Sequence, residues 1–134
     1  MFVQTLEESP RNFRGGQVSY LLLTKGQFGS GNLTITWVEG GPGSEQPLHA
    51  HPTNEQVYVI VRGRGVMKVA GEQREVVEGT LVFIPPGTNH AIHNTGEEPL
   101  VFVSAASPAF DPGQLDPTFA YEPAAHSGEE QADV

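Results

Sequence analysis

In the stretch Gly43-Ser-Glu-Gln-Pro-Leu-His49-Ala-His51-Pro-Thr-Asn-Glu55-Gln56-Val-Tyr58-Val-Ile-Val-Arg-Gly63, two histidines one residue apart precede a carboxylate, an amide and an apolar run. In extended backbone, side chains at i and i+2 share a face. His49 and His51 can therefore aim their imidazoles at one point, which is chelating geometry for a divalent metal. A lone His-x-His is common, so the rest of the chain must supply a barrel and further ligands.

Outward from this stretch, short β-like runs recur every eight to twelve residues between Gly and Pro. Val18 to Leu23 is one, preceded by Arg11-Asn-Phe-Arg-Gly-Gly16, which reads as a turn or loop. Asn32 to Val38 alternates, with Leu33, Ile35 and Trp37 on one face and Thr34 and Thr36 on the other. That is a half-buried strand, with Trp37 in either the core or a cavity wall. Gln56 to Arg62, Val66 to Ala70, Gln73 to Val77, Thr80 to Ile84, His90 to Thr95 and Leu100 to Ala105 follow. With no amphipathic helix among them, the pattern predicts an all-β sandwich or barrel.

At 134 residues the chain is one domain's length. From residue 107 onward the composition becomes Pro-rich and acidic. Residues 1–106 are thus expected to form the barrel and its N-terminal arm, and 107–134 a partly disordered tail. Within that tail Phe110, Leu115, Phe119 and Tyr121 can pack the first part back over the barrel. Sixteen acidic against seven basic residues leave a net charge of −9, which argues against nucleic acid. No cysteine is present, so thiolate metal sites and disulfides are excluded. The N-terminus has no signal-like segment and no apolar run reaches membrane-spanning length, so a cytoplasmic protein is expected, with no membrane partner.

A second stretch, Gly79-Thr-Leu-Val-Phe-Ile-Pro85-Pro-Gly87-Thr-Asn-His90-Ala-Ile-His93-Asn94, completes the pattern. Here the chain resembles a cupin. The second cupin motif, G-x5-P-x-G-x2-H-x3-N, is matched at Gly79, Pro85, Gly87, His90 and Asn94. The first, G-x5-H-x-H-x(3,4)-E-x6-G, is matched at Gly43, His49, His51 and Gly63. The resemblance covers roughly residues 30 to 107 and implies a double-stranded β-helix, or jelly-roll, barrel. It also implies one divalent metal ion, of Mn, Fe, Zn, Ni or Cu, held by His49, His51, His90 and a fourth ligand.

The fourth ligand is where this chain departs from the family. Counted forward from His51, both Glu55 and Gln56 fit the variable gap; counted back from Gly63 along a continuous strand, the position is Gln56. With Gln56 facing inward, Tyr58 and Ile60 do too, and Val57, Val59 and Val61 face the other way. Gln56 is therefore expected as the fourth ligand, with Glu55 near the mouth and Tyr58 in the cavity as candidate proton carriers. His93, opposite in parity to His90, is expected at the surface. Arg62 and Arg64 flank a hairpin turn and are expected to be solvated; Arg62 shares nominal parity with Gln56 and is thus positioned to meet an anionic substrate.

A neutral Gln in place of Glu leaves the ion's full charge for polarising a carbonyl or enol oxygen. This favours an isomerase, lyase or cyclase acting on a small oxygenated substrate. A quercetinase-like dioxygenase and a non-catalytic binding or sensing module are the alternatives. A homodimer is also expected, on the reading of Val18–Leu23 as an exposed edge strand.

Overall fold

The computed structural model describes residues 1–111 of the chain. Nine strands run in order: β1 (Arg11–Arg14), β2 (Gln17–Leu23), β3 (Thr34–Gly40), β4 (Glu55–Arg62), β5 (Arg64–Val69), β6 (Glu72–Val77), β7 (Leu81–Ile84), β8 (His90–His93) and β9 (Leu100–Ser107). Apart from a short 3-10 turn at Gln27–Gly29, no helix occurs among the described residues. A six-stranded sheet, ordered β1-β2-β3-β9-β4-β7, faces a three-stranded sheet, β6-β5-β8, and all pairings are antiparallel. This is the double-stranded β-helix. Of the tail expected over residues 107–134, residues 112–134 lie outside the described residues.

The core sits between the sheets. Val38, Ile60, Ile84, Leu100 and Phe102 from the large sheet meet Met67, Val76 and Ile92 from the small one, all buried. Full burial of such side chains contributes roughly 1.5–3 kcal/mol each. The tight return at Gly63 completes this packing. Its φ is +85°, and a Cβ there would lie 2.5 Å from the Pro99 carbonyl oxygen. Only glycine fits both conditions.

Three readings of the sequence are corrected. Arg11–Arg14 is a strand rather than a loop, because Gly15-Gly16 takes positive φ at both positions (+59° and +81°) and closes a two-residue hairpin onto β2. As a result β2 is not an edge, since β1 and β3 flank it. Trp37 belongs neither to the core nor to a cavity wall. It is half-buried on the outer face of the large sheet, its indole N–H donating to Glu39 Oε2 at 2.9 Å.

The side chains Thr34, Thr36 and Val38 instead point inward on β3, in register with Ala106, Ser104 and Phe102 of β9. The outer face carries Tyr20, Trp37, Val103, Val59 and Leu81 in one row and Ile35, Ala105, Val57 and Phe83 in another. Leu81 and Phe83 are 60% and 50% exposed.

Candidate metal centre

The segment before β4 carries His49 and His51, and β8 opens with His90. The backbones of His49 and His90 are bonded to each other. His49 N–H donates to the His90 carbonyl at 3.1 Å, and His90 N–H to the His49 carbonyl at 2.8 Å. This bridge sets the two imidazoles side by side, ring centroids 4.2 Å apart. The His51 ring lies 5.3 Å from His49 and 5.7 Å from His90. One ligand atom from each histidine falls within 4.8 Å of the others. The three residues singled out by spacing thus form one cluster that can hold a metal ion.

Tautomers are set by the backbone. His49 Nδ1 lies 2.8 Å from the Pro47 carbonyl and His90 Nδ1 2.9 Å from the Thr88 carbonyl. A carbonyl only accepts, so each Nδ1 carries the proton and donates, which places the lone pair on Nε2. His90 is fully buried, and its Nε2 has no hydrogen-bond partner among the described residues. Burial, with His49 and His90 close by, lowers the His51 pKa to about 4. Burial and His49 lower that of His90 to about 4 against a raising contribution from the Thr88 carbonyl. Both rings are therefore neutral at pH 7, the form that binds metals.

A cavity of about 440 Å³ opens beside the cluster, within the size range of small-molecule sites. His49, His51, Gln56, Tyr58, Thr36, Phe102 and Ser104 line it, as do Asn12, Arg14, Gln17 and Ser19 from the β1–β2 hairpin and Glu45 and Gln46 from the segment before β4. On β4, burial alternates from Gln56 to Ile60, so Gln56 and Tyr58 face this interior. The Gln56 Nε2 donates to Ser104 Oγ at 2.6 Å. With the amide in this orientation, Oε1 is buried without a partner among the described residues. His90 Nε2 and, in this orientation, Gln56 Oε1 are thus two buried acceptors without partners among the described residues. Buried polar atoms rarely go unpaired, and a cation is the partner that suits two bare acceptors.

Glu55 is placed otherwise. It is exposed, lies on the opposite side of the strand from Gln56, and is absent from the cavity lining. Tyr58 is buried, and its hydroxyl donates to Gln46 Oε1 at 3.2 Å. Burial pushes its phenol pKa up, against a lowering contribution from the Gln46 bond, so the hydroxyl stays protonated and serves as a donor. Its ring packs edge-on to His90, centroids 5.8 Å apart. His93 is half-buried at the end of β8. Arg62 does not reach the cavity. A bulge between Ile60 and Arg62 in the β4–β9 register pairs Arg62 with Val101, reversing the nominal parity.

Sequence reasoning missed Arg14 and Asn12 as lining residues, and Phe110 as a neighbour of His51, although its return over the barrel was expected. The first two sit on the strand read as a loop. Phe110 is buried, packs against His51 at 4.5 Å and donates its backbone N–H to Thr34 Oγ1. Only its apolar character signalled that it returns to the barrel.

Among curated proteins, an uncharacterised protein of Methanocaldococcus jannaschii is 41% identical over 68 residues, 51% of this chain and 54% of that protein. The chain thus spans about half of that relative's length. The oxalate-binding protein of Thermotoga maritima is 30% identical over 111 residues, 78% of this chain and 91% of that one. In three dimensions, the crystal structure of a predicted oxalate decarboxylase from Thermotoga maritima superposes with a TM-score of 0.73 at 24% identity, covering 80% of this chain and 99% of that chain. The cupin-domain family model matches residues 36–106, which include every ligand candidate and both motifs. Fold, motif spacing and this match agree: the chain belongs to the cupin family.

Proposed function

We propose that His49, His51, His90 and Gln56 hold one divalent metal ion, and that the protein is an enzyme acting on a small carbonyl or enol compound by non-redox isomerase- or lyase-type chemistry. The observation that carries this reading is the three-histidine cluster, with His90 Nε2 buried and unpartnered among the described residues and Gln56 on the lining of the adjoining cavity. Bound there, the ion supplies Lewis-acid polarisation of a substrate oxygen. All four donors are neutral, so its charge is not reduced by an anionic ligand, and none of them stabilises a higher oxidation state.

The chain's own groups do the rest. Ser104 anchors the Gln56 amide on the cavity wall through a 2.6 Å hydrogen bond. Tyr58 and Gln46 form a buried donor–acceptor pair on the wall, able to orient a substrate oxygen by a hydrogen bond. Phe110 covers one side of His51 and excludes water there. The relative named as an oxalate-binding protein supports a small oxygen-rich ligand.

Elemental analysis of protein purified without added metal tests the centre; one ion per chain, lost in His49→Ala, is expected. Turnover of a carbonyl or enol substrate under strictly anaerobic conditions tests the non-redox assignment. Absolute dependence on dioxygen would overturn it.

A further inference from the structure

A second amide on the cavity lining, that of Gln46, has an orientation dictated by the backbone. The segment carrying Gln46 and His49 runs antiparallel to β8. Gln46 N–H donates to the Ile92 carbonyl at 3.1 Å, and His49 N–H to the His90 carbonyl at 3.1 Å. These bonds fix the place of Gln46 relative to His49. In return, Ile92 N–H donates to Gln46 Oε1 at 3.2 Å. A main-chain N–H only donates, so the atom it meets is the amide oxygen; the Ser104 hydroxyl beside Gln56 gives no such discrimination, since a hydroxyl also accepts. The Tyr58 hydroxyl donates to the same Gln46 oxygen at 3.2 Å, and the Tyr58 ring lies 5.8 Å from that of His90. The phenol proton is therefore committed to Gln46. The other end of the amide, Nε2, has no hydrogen-bond partner among the described residues, yet it is not sealed from the cavity as the unpartnered His90 Nε2 is.

We infer that Gln46 is a specificity-determining residue: its Nε2 donates to a ligand oxygen beside the atoms that the metal chelates, and Tyr58 is the positioning residue that keeps the amide oxygen turned away. This rests on the metal-centre reading above and adds the ligand class, a small chelating acid whose next atom is an unprotonated oxygen. A methylene at that place leaves the Gln46 donor unpaired, and an N–H sets donor against donor and leaves both unpaired.

Calorimetric titration of zinc-loaded protein with matched monoanions tests the inference. Monomethyl oxalate, α-ketobutyrate and N-methyloxamate share a chelating head, size and charge, and differ only in the group beside that head: an acceptor oxygen, a methylene or a donor N–H. The ester is expected to bind most tightly, about tenfold better than the amide, as one hydrogen bond gained against one donor left unpaired. Gln46→Glu keeps an oxygen for Ile92 and Tyr58 and turns the free end from donor to acceptor. It should reverse the order of ester and amide, with metal content still one ion per chain. Tyr58→Phe removes one of the two bonds on the amide oxygen and should narrow the preference without reversing it. Equal binding of ester and amide, a wild-type preference for the amide, the same order in Gln46→Glu, or no binding by any of the three would overturn the inference. Failure of the underlying centre reads separately and overturns the inference with it: the protein takes up no zinc, or binds the acids equally well after chelation.

Discussion

On β3, Thr34, Thr36 and Val38 point into the barrel while Ile35 and Trp37 point out; on β4, Gln56, Tyr58 and Ile60 point in while Val57 and Val59 point out. A half-solvated antiparallel sheet usually buries its apolar face. At the cavity end of this sheet the polarity is reversed, because the inner face there lines the cavity and not a packed core. Polar groups at that end pair with each other, as Gln56 does with Ser104 and Tyr58 with Gln46. Toward the other end the inner face becomes the ordinary core of Ile60, Leu100 and Phe102. One strand thus serves two interiors, and the outer face keeps the apolar residues that the cavity could not use.

Breaking the inner face at the cluster should have the largest effect. His90→Ala is expected to lower metal occupancy from one ion per chain to near zero, measured by elemental analysis after dialysis. Gln56→Leu should follow, removing the oxygen and leaving Ser104 without its donor. A loss of metal affinity at the upper end of, or beyond, the ~10–100-fold typical of outer-shell changes is expected in a competition assay with a chelating dye.

Acid should act on the same face in metal-free protein. His51 and His90 have folded pKa values near 4 against 6.5 for the free side chain, so between these limits the unfolded chain binds more protons. Stability is fully present above about pH 6.5 and declines as pH falls toward 4. Melting temperatures of the metal-free protein across this window should drop by several degrees, and His90→Leu should shallow the slope.

Ser104→Ala tests positioning with a smaller effect. It deletes one buried hydrogen bond, worth about 1 kcal/mol of stability, and frees the Gln56 amide to turn. Metal affinity should fall by ~10-fold, the low end of outer-shell effects, with Ser104→Thr restoring it. On the outer face, Phe83→Ser should leave metal content unchanged and shift stability by no more than ~0.5 kcal/mol, as for an exposed site away from core and caps. A loss of metal there would sink the separation of the two faces.

The three clustered histidines were legible because a group that can hold a metal needs close spacing along a strand and a turn rigid enough to deliver the third. Strand parity reached Gln56 and Tyr58 because β4 is regular from Gln56 to Ile60. It failed at Arg62, since the bulge beyond Ile60 leaves no mark in residue types. Alternation on β3 was visible, but its inward face was not. Period two says which residues share a side, not which side holds a polar cavity. Arg14 escaped because two glycines in a row read as generic loop, whereas here they make a two-residue hairpin that places Arg11–Arg14 as a strand beside the cavity.

The bonds from His49 and His90 to the carbonyls of Pro47 and Thr88 have a consequence for portability. For each histidine the Nδ1 proton is held within three consecutive residues, Pro47-Leu-His49 and Thr88-Asn-His90, by a backbone carbonyl. Such a segment behaves as a transferable cassette. Grafted between two antiparallel strands of another scaffold, it would bring its own proton placement along, and only the relative position of the two cassettes would remain to be designed.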